Sequence, residues 1–185
     1  MNKVATLTLF AASLSACAGS DEFRASQERN PAPCPNIVVL NDAARLVDFA
    51  TDEKTIENVA WSAEIEDVSI GCRYYSDKPI EASVEVDLAF GRGPAADGIE
   101  REYQYFVAVT RTDSEVIAKE TFTVPVKFDP DKNVYRLEDE IDEIVIPRKG
   151  EETSGLNFEI VVGLVVTADQ LRFNRSGESL KFPEL

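Results

Sequence analysis

The chain has no histidine, one methionine, one tryptophan and only three cysteines in 185 residues. The missing imidazole excludes Ser-His-Asp and Cys-His catalysis, and every zinc or iron site that needs a histidine ligand. Positive charge is also scarce: 19 Lys and Arg stand against 34 Asp and Glu, a formal charge of -15. A nucleic-acid binder needs a basic face to neutralise phosphates, so no nucleic-acid partner is expected. Sustained helical periodicity is missing too. What remains is enough for a fold. Apolar residues make up 44%, too many for a disordered chain, and the length supports one domain with a core of its own.

The N-terminal segment, from Met1 to Cys17, has its own logic. Lys3 supplies a positive start. Val4 to Leu14 is an uncharged, mostly apolar run, the length of a signal-peptide core and too short to cross a bilayer. Leu14-Ser15-Ala16-Cys17 follows, and it resembles the lipobox of bacterial lipoproteins: an apolar residue, two small ones, then Cys. The resemblance covers Met1 to Cys17 only. It implies cleavage after Ala16, so that residues 1–16 are a lipoprotein signal peptide, and acylation of Cys17 by a diacylglycerol. An ordinary secretory signal with Cys17 left as a free thiol is the alternative. Ala18 rather than Asp follows the Cys, which by analogy with the family implies transfer to the outer membrane, on its periplasmic side, with the inner membrane as the other destination. Each buried methylene stabilises such an anchor by about 0.8 kcal/mol, so the membrane partner is reached through lipid and not through the body of the protein. Loss of Lys3 with residues 1–16 makes the mature chain still more acidic, so anionic headgroups repel it.

Residues 17–33 read as a lipidated tether: polar, with Pro31 and Pro33 near its end, spanning roughly 20–25 Å as a flexible coil. The domain is expected over 34–175, with 176–185 a frayed tail. Within it, alternation with period two dominates. Ile37 to Leu40 is a short apolar run. Val59, Trp61, Ala63 and Ile65 share one face. Val68, Ile70, Cys72 and Tyr74 continue on even positions, so a bulge or tight turn is expected near Asp67. Ile80, Ala82, Val84, Val86, Leu88 and Phe90 alternate with Glu81, Ser83, Glu85 and Asp87, the pattern of a strand wet on one side. Gly91 to Gly98 reads as a hairpin loop. Tyr103, Tyr105, Val107 and Val109 form another strand, Thr112-Asp113-Ser114-Glu115 a hairpin turn, and Phe122, Val124, Val126 and Phe128 the return. Pro125 has no N–H for a ladder, so that strand is an edge or carries a bulge. Tyr135 to Leu137 and Ile144 to Ile146 read as short strands. Ile160 to Val166 is apolar on both faces, as in a central strand. Thr167 and Gln170 fit a capping box, so a brief helix carries Leu171 and Phe173. The sum is an all-β antiparallel sandwich, immunoglobulin-like in architecture, with eight or nine short strands. Trp61 stands too close to Cys72, so the Cys-Trp-Cys spacing of immunoglobulins is not met.

With Cys17 acylated, as the resemblance implies, Cys34 and Cys72 remain as an even pair in an oxidising compartment, and a disulfide is expected. Two separate buried thiols are the alternative, because Cys72 lies on an apolar face. Redox chemistry is not expected without Cys-x-x-Cys.

Few constellations bear chemistry. Asp129, Asp131, Asn133 and Glu140 stand at positions 1, 3, 5 and 12 of an EF-hand-like loop, but Val134 replaces the Gly needed at position 6 and no helix flanks it. A Pro-Asp turn is the expectation. Glu138, Asp139, Glu140, Asp142 and Glu143 crowd five carboxylates into one short run. A carboxylate pair could serve a glycosidase, whereas on a strand such charge deters edge pairing. Gly91-Arg92-Gly93-Pro94 lacks the Lys-Ser/Thr end of a P-loop. Arg172, Asn174 and Arg175 read as surface or terminal contacts. Of Tyr74, Tyr75, Tyr103, Tyr105 and Phe106, the alternating members are expected in the core. Tyr105 to Thr110 and Gly91 to Ala96 are similar to stretches in proteobacterial lipoproteins of this length, a resemblance that implies no activity. The expected function is therefore a non-enzymatic, lipid-anchored envelope protein that contacts a protein or the cell wall, with no cofactor or metal. A carboxylate-based glycan-acting enzyme and a Ca²⁺-dependent binding module are the alternatives.

Overall fold

Alternating apolar residues build two four-stranded sheets packed face to face. The structure is a computed structural model that describes residues 33–112 and 115–178. In chain order the elements are β1 (Asn36–Val39), β2 (Arg45–Phe49), β3 (Val59–Arg73), β4 (Ile80–Arg92), β5 (Glu100–Arg111), β6 (Val116–Lys127), β7 (Val134–Ile146), β8 (Phe158–Leu164) and α1 (Ala168–Arg175). One sheet runs β1-β8-β5-β6, the other β2-β3-β4-β7. Every pairing is antiparallel except β1 with β8, which is parallel. The expected β-sandwich is therefore present, with the layered architecture of an immunoglobulin domain and a strand order of its own. The expected signal peptide, Cys17 and the expected tether to residue 32 lie outside the described residues, as do Asp113, Ser114 and residues 179–185. Among the described residues no helix is long and apolar enough to cross a membrane.

The core follows the alternation. Ile80, Ala82, Val84, Val86, Leu88 and Phe90 are all buried, and Glu81 and Glu85 between them are exposed. Each large side chain among them is worth about 1.5–3 kcal/mol on burial. Phe158, Ile160, Val162 and Leu164 of β8 close the core from the facing sheet. The phase change in β3 is a bulge: Ile65 pairs with Leu88 and Asp67 with Asp87, leaving Glu66 as the extra residue. One 15-residue strand results, because a bulge absorbs the shift without ending the ladder. Pro125 sits in β6, which pairs with β5 alone and is an edge. The capping box at Thr167 forms, with Thr167 Oγ accepting from the Gln170 N–H and Gln170 Oε1 accepting from the Thr167 N–H.

Two expectations need correction, and one strand carried none. The stretch from Gly91 is no hairpin loop: Gly91 and Arg92 end β4, and the chain then crosses to β5 in the other sheet. The crossover hugs β3, with Gly93 donating to the Ala60 carbonyl, and a Cβ on Gly93 would overlap the Val59 carbonyl. The two short strands over 135–146 are one 13-residue strand, β7, since the carboxylates between them lie at an edge where water solvates them. β2 carried no expectation: its five residues are too few for alternation to register.

Candidate binding site

The sheet orders place β1 and β2 along one side of the sandwich and β6 and β7 along the other. The first side is covered by α1, which leaves a pocket of about 440 Å³ against β2, lined by Asp48, Phe49, Lys54, Asp169, Gln170 and Phe173 among others. α1 lies against β2, and Asn174 Nδ2 donates to the carbonyls of Asp42 and Arg45 at 2.9 and 2.8 Å. Phe173 packs edge-on against Phe49, their centroids 5.3 Å apart. Asp48 on β2 accepts from Gln170 of α1 at 2.5 Å and from Arg101 of β5 at 2.7 Å. Arg175 pairs with Asp42 at 2.7 Å and Arg172 with Asp169, so the Arg172–Asn174–Arg175 group makes the surface and terminal contacts expected of it.

The same side holds the start of the domain. Cys34 and Cys72 form a disulfide, Cα to Cα 5.6 Å. The buried Tyr74 hydroxyl donates to the Pro33 carbonyl and accepts from the Gly155 N–H, both at 3.0 Å. A Cβ on Gly155 would overlap the Pro33 carbonyl, so this approach requires glycine. Arg148 stacks its guanidinium on the Tyr74 ring at 4.5 Å. It donates to the carbonyls of Ser76, Lys78, Glu151 and Thr153 at 2.6–3.0 Å, tying two loops to that ring. Ser76 is held there at a φ of +49°. Sequence reasoning gave Arg148 no role, because its partners are carbonyls and leave no signature in side-chain types.

The opposite side is open. Between β5 and β6 of one sheet and β7 of the other runs a groove of about 240 Å³. Val107, Val109, Phe122, Ile141 and Ile144 line its floor, with Glu120 on β6 and Glu143 on β7 at its rim. Asp139 faces inward from β7 and accepts from the Tyr105 hydroxyl at 2.8 Å. Burial, the bond to Asp139 and the charge of that carboxylate all push the Tyr105 phenol up. The Tyr103 phenol is also pushed up, chiefly by burial, with Arg101 lowering it and Asp48 raising it. Its hydroxyl has no hydrogen-bond partner among the described residues. Tyr74, Tyr103 and Tyr105 are buried as expected, Phe106 is half-buried and Tyr75 is exposed.

Four of the five carboxylates expected at a solvated edge are exposed on β7. Register adds what spacing alone did not. Asp67, Asp87 and Glu138 lie in one row across β3, β4 and β7, and Ser69, Glu85 and Glu140 in the next. Like charges directly opposite each other on adjacent strands are destabilising. Among the described residues, Arg45, Arg73 and Arg136 of this face pair with Glu64, Glu81 and Glu66. Asp67, Asp87, Glu138 and Glu140 are in no ion pair with another described residue. Arg136, on the same face, reaches past the row to Glu66.

The EF-hand-like residues do not converge. Asp129 Oδ1 accepts from the Asp131 N–H at 3.1 Å, a local turn. Asn133 Oδ1 accepts from the Arg92 guanidinium at 3.1 and 3.3 Å, and Arg92 also donates to the Pro130 carbonyl at 2.8 Å. Glu140 lies roughly 20 Å farther along β7 at the usual strand rise. A guanidinium thus sits among groups that a cation would have to gather. Among the described residues no three His, Cys, Asp or Glu side chains are placed to hold a metal ion.

Fold and site together define a disulfide-stapled β-sandwich with a helix covering one side and bare strand edges on the other. No family model, no curated protein and no solved structure matches the chain.

Proposed function

We propose that this chain is a lipid-anchored protein of the bacterial cell envelope, held by acyl chains on Cys17 to the periplasmic side of the outer membrane. The sandwich serves as a non-enzymatic module that contacts a protein or the cell wall. One observation carries most of the reading. The first described residues are fastened to the sandwich by the Cys34–Cys72 bridge and by the Pro33–Tyr74 hydrogen bond. A disulfide suits an oxidising compartment, and a fastened N-terminal end suits a domain held from that end. The acidic body favours contact with a basic partner over contact with anionic lipid. The test is fractionation of native cells with mass analysis of the mature N-terminus. Acylated Cys17 as the first residue, and release of a Cys17→Ala variant into the soluble periplasm, are expected. A soluble wild-type chain with an unmodified Cys17 would sink the anchor.

A second reading has one observation in its favour. Glu120 and Glu143 line the same groove from opposite strands, as a glycan-acting carboxylate pair would. Release of new reducing ends from cell-wall glycan, lost in Glu143→Gln, would establish it.

A further inference from the structure

The two edge strands of the open side differ in what they allow. β6 carries Pro125, Lys119 and Lys127. Proline breaks a ladder, and lysine on an edge deters an incoming strand. β7 has 13 residues with no proline and no lysine. It pairs with β4 on one side only, and among the described residues no other backbone hydrogen bond reaches it. Ile141 and Ile144 leave the floor of the groove half-open beside that free edge.

From this edge and groove we infer that β7 is a docking edge for an extended, basic segment of a partner protein, which would add a ninth strand to the sandwich. The inference rests on the reading of the chain as a binding protein and names the chemistry of its partner. Three physical points support it. Main-chain groups on the free side of β7, up to the bulge at Asp142 and Glu143 where the register with β4 shifts, can pair with any strand, which supplies affinity without sequence preference. Alternate side chains of the added strand would point over the groove, where Val107, Val109, Phe122, Ile141 and Ile144 offer apolar contact. The other set would fall in line with the rows that end at Glu138 and Glu140. Lysine or arginine there would face carboxylates that have no cation of their own among the described residues.

Charge also selects against the competing occupant. A second copy of this chain carries the same formal -15, and β7 against β7 would place carboxylates opposite carboxylates. Repulsion of like strands and attraction of basic ones come from the same residues, which is specificity by exclusion as well as by contact. The other edges are unavailable to a strand: β1 is four residues long and α1 lies along β2.

The test uses the full-length chain in detergent and synthetic peptides of about ten residues, long enough to span most of a strand. One alternates valine with lysine, one valine with glutamate, and one is the lysine peptide with a central proline. Titration by fluorescence anisotropy is expected to rank the lysine peptide about tenfold or more above each of the others. The double variant Glu138→Lys, Glu140→Lys should weaken it by a similar factor while unfolding at an unchanged or higher temperature. Amide exchange of β7 should slow when the lysine peptide is bound. Equal binding of the proline-broken peptide would reduce the effect to unspecific attraction and overturn the proposal, as would indifference to the double variant. Photo-crosslinking in native membranes separates this failure from failure of the parent reading. A partner crosslinked only through positions away from β7 overturns the docking edge and leaves the binding protein. No peptide binding together with no crosslinked partner from any surface removes both.

Discussion

The two sides of this sandwich solve the same problem by opposite means. Every sheet has two edges whose unpaired N–H and C=O groups invite another strand. On the β1/β2 side the answer is cover: a short first strand, a helix along β2, and a disulfide with an aromatic clamp beside them. On the β6/β7 side the answer is repulsion: a proline and lysines on one strand, carboxylates on the other. Cover blocks any incoming strand whatever its charge. Repulsion is selective, since it yields to a strand of opposite charge. The covered side therefore fastens the N-terminal end of the domain, and the bare side is the one the proposed partner would use.

The largest test of that contrast is on the covered side. Cys72→Ser removes a bridge between residues 38 apart in sequence, for which the chain-entropy model gives about 4 kcal/mol. A urea midpoint lowered to match is expected. An unchanged midpoint would show that Tyr74 and Arg148 hold the N-terminal end without the bridge.

The next tests bear on two tyrosines that share one face of β5. Tyr105 donates to Asp139 of the open side, whereas the Tyr103 hydroxyl, in the field of Asp48 and Arg101 of the covered side, has no partner among the described residues. Tyr105→Phe should cost about 2 kcal/mol, because it strips a carboxylate of its donor, and Tyr103→Phe should be neutral or stabilising. Equal costs would erase the distinction. Both phenols are held above their unfolded value, which is about 10. The unfolded chain therefore loses these protons first. Their contribution is intact below pH ~10 and falls away above it, by about 2.7 kcal/mol per pH unit for the two together. Stability measured at pH 9 and 11 checks the sign.

The smallest effect belongs to the acidic rows. Glu138 faces Asp87, which faces Asp67. Glu138→Gln should raise stability by about 0.5 kcal/mol, with the gain fading in ~1 M salt, where the screening length is about 3 Å. A loss of stability would mean that these carboxylates are not in conflict.

Much of this fold is legible in the chain. The inward set of β4, the phase change that became the Glu66 bulge, Pro125 at an edge and the Thr167–Gln170 cap all follow from local rules. These rules act over short stretches, so the sequence displays them directly. The groove was not legible. Its floor comes from β5, β6 and β7, and only the sheet order brings Phe122 near Ile141. The Asp48–Gln170 contact joins residues 122 apart. Arg148 works through backbone carbonyls that every residue possesses.

By itself the sequence determined most of the long strands, which of their faces are wet, and that a strongly acidic chain without histidine has little catalytic vocabulary. Alternation and composition suffice for that, because burial follows a period of two. Only the tertiary structure decided which strands are neighbours, which side the helix covers, and which carboxylates stand opposite one another. Those depend on pairings between distant strands, and the register of a strand is set by its neighbour rather than by its own residues.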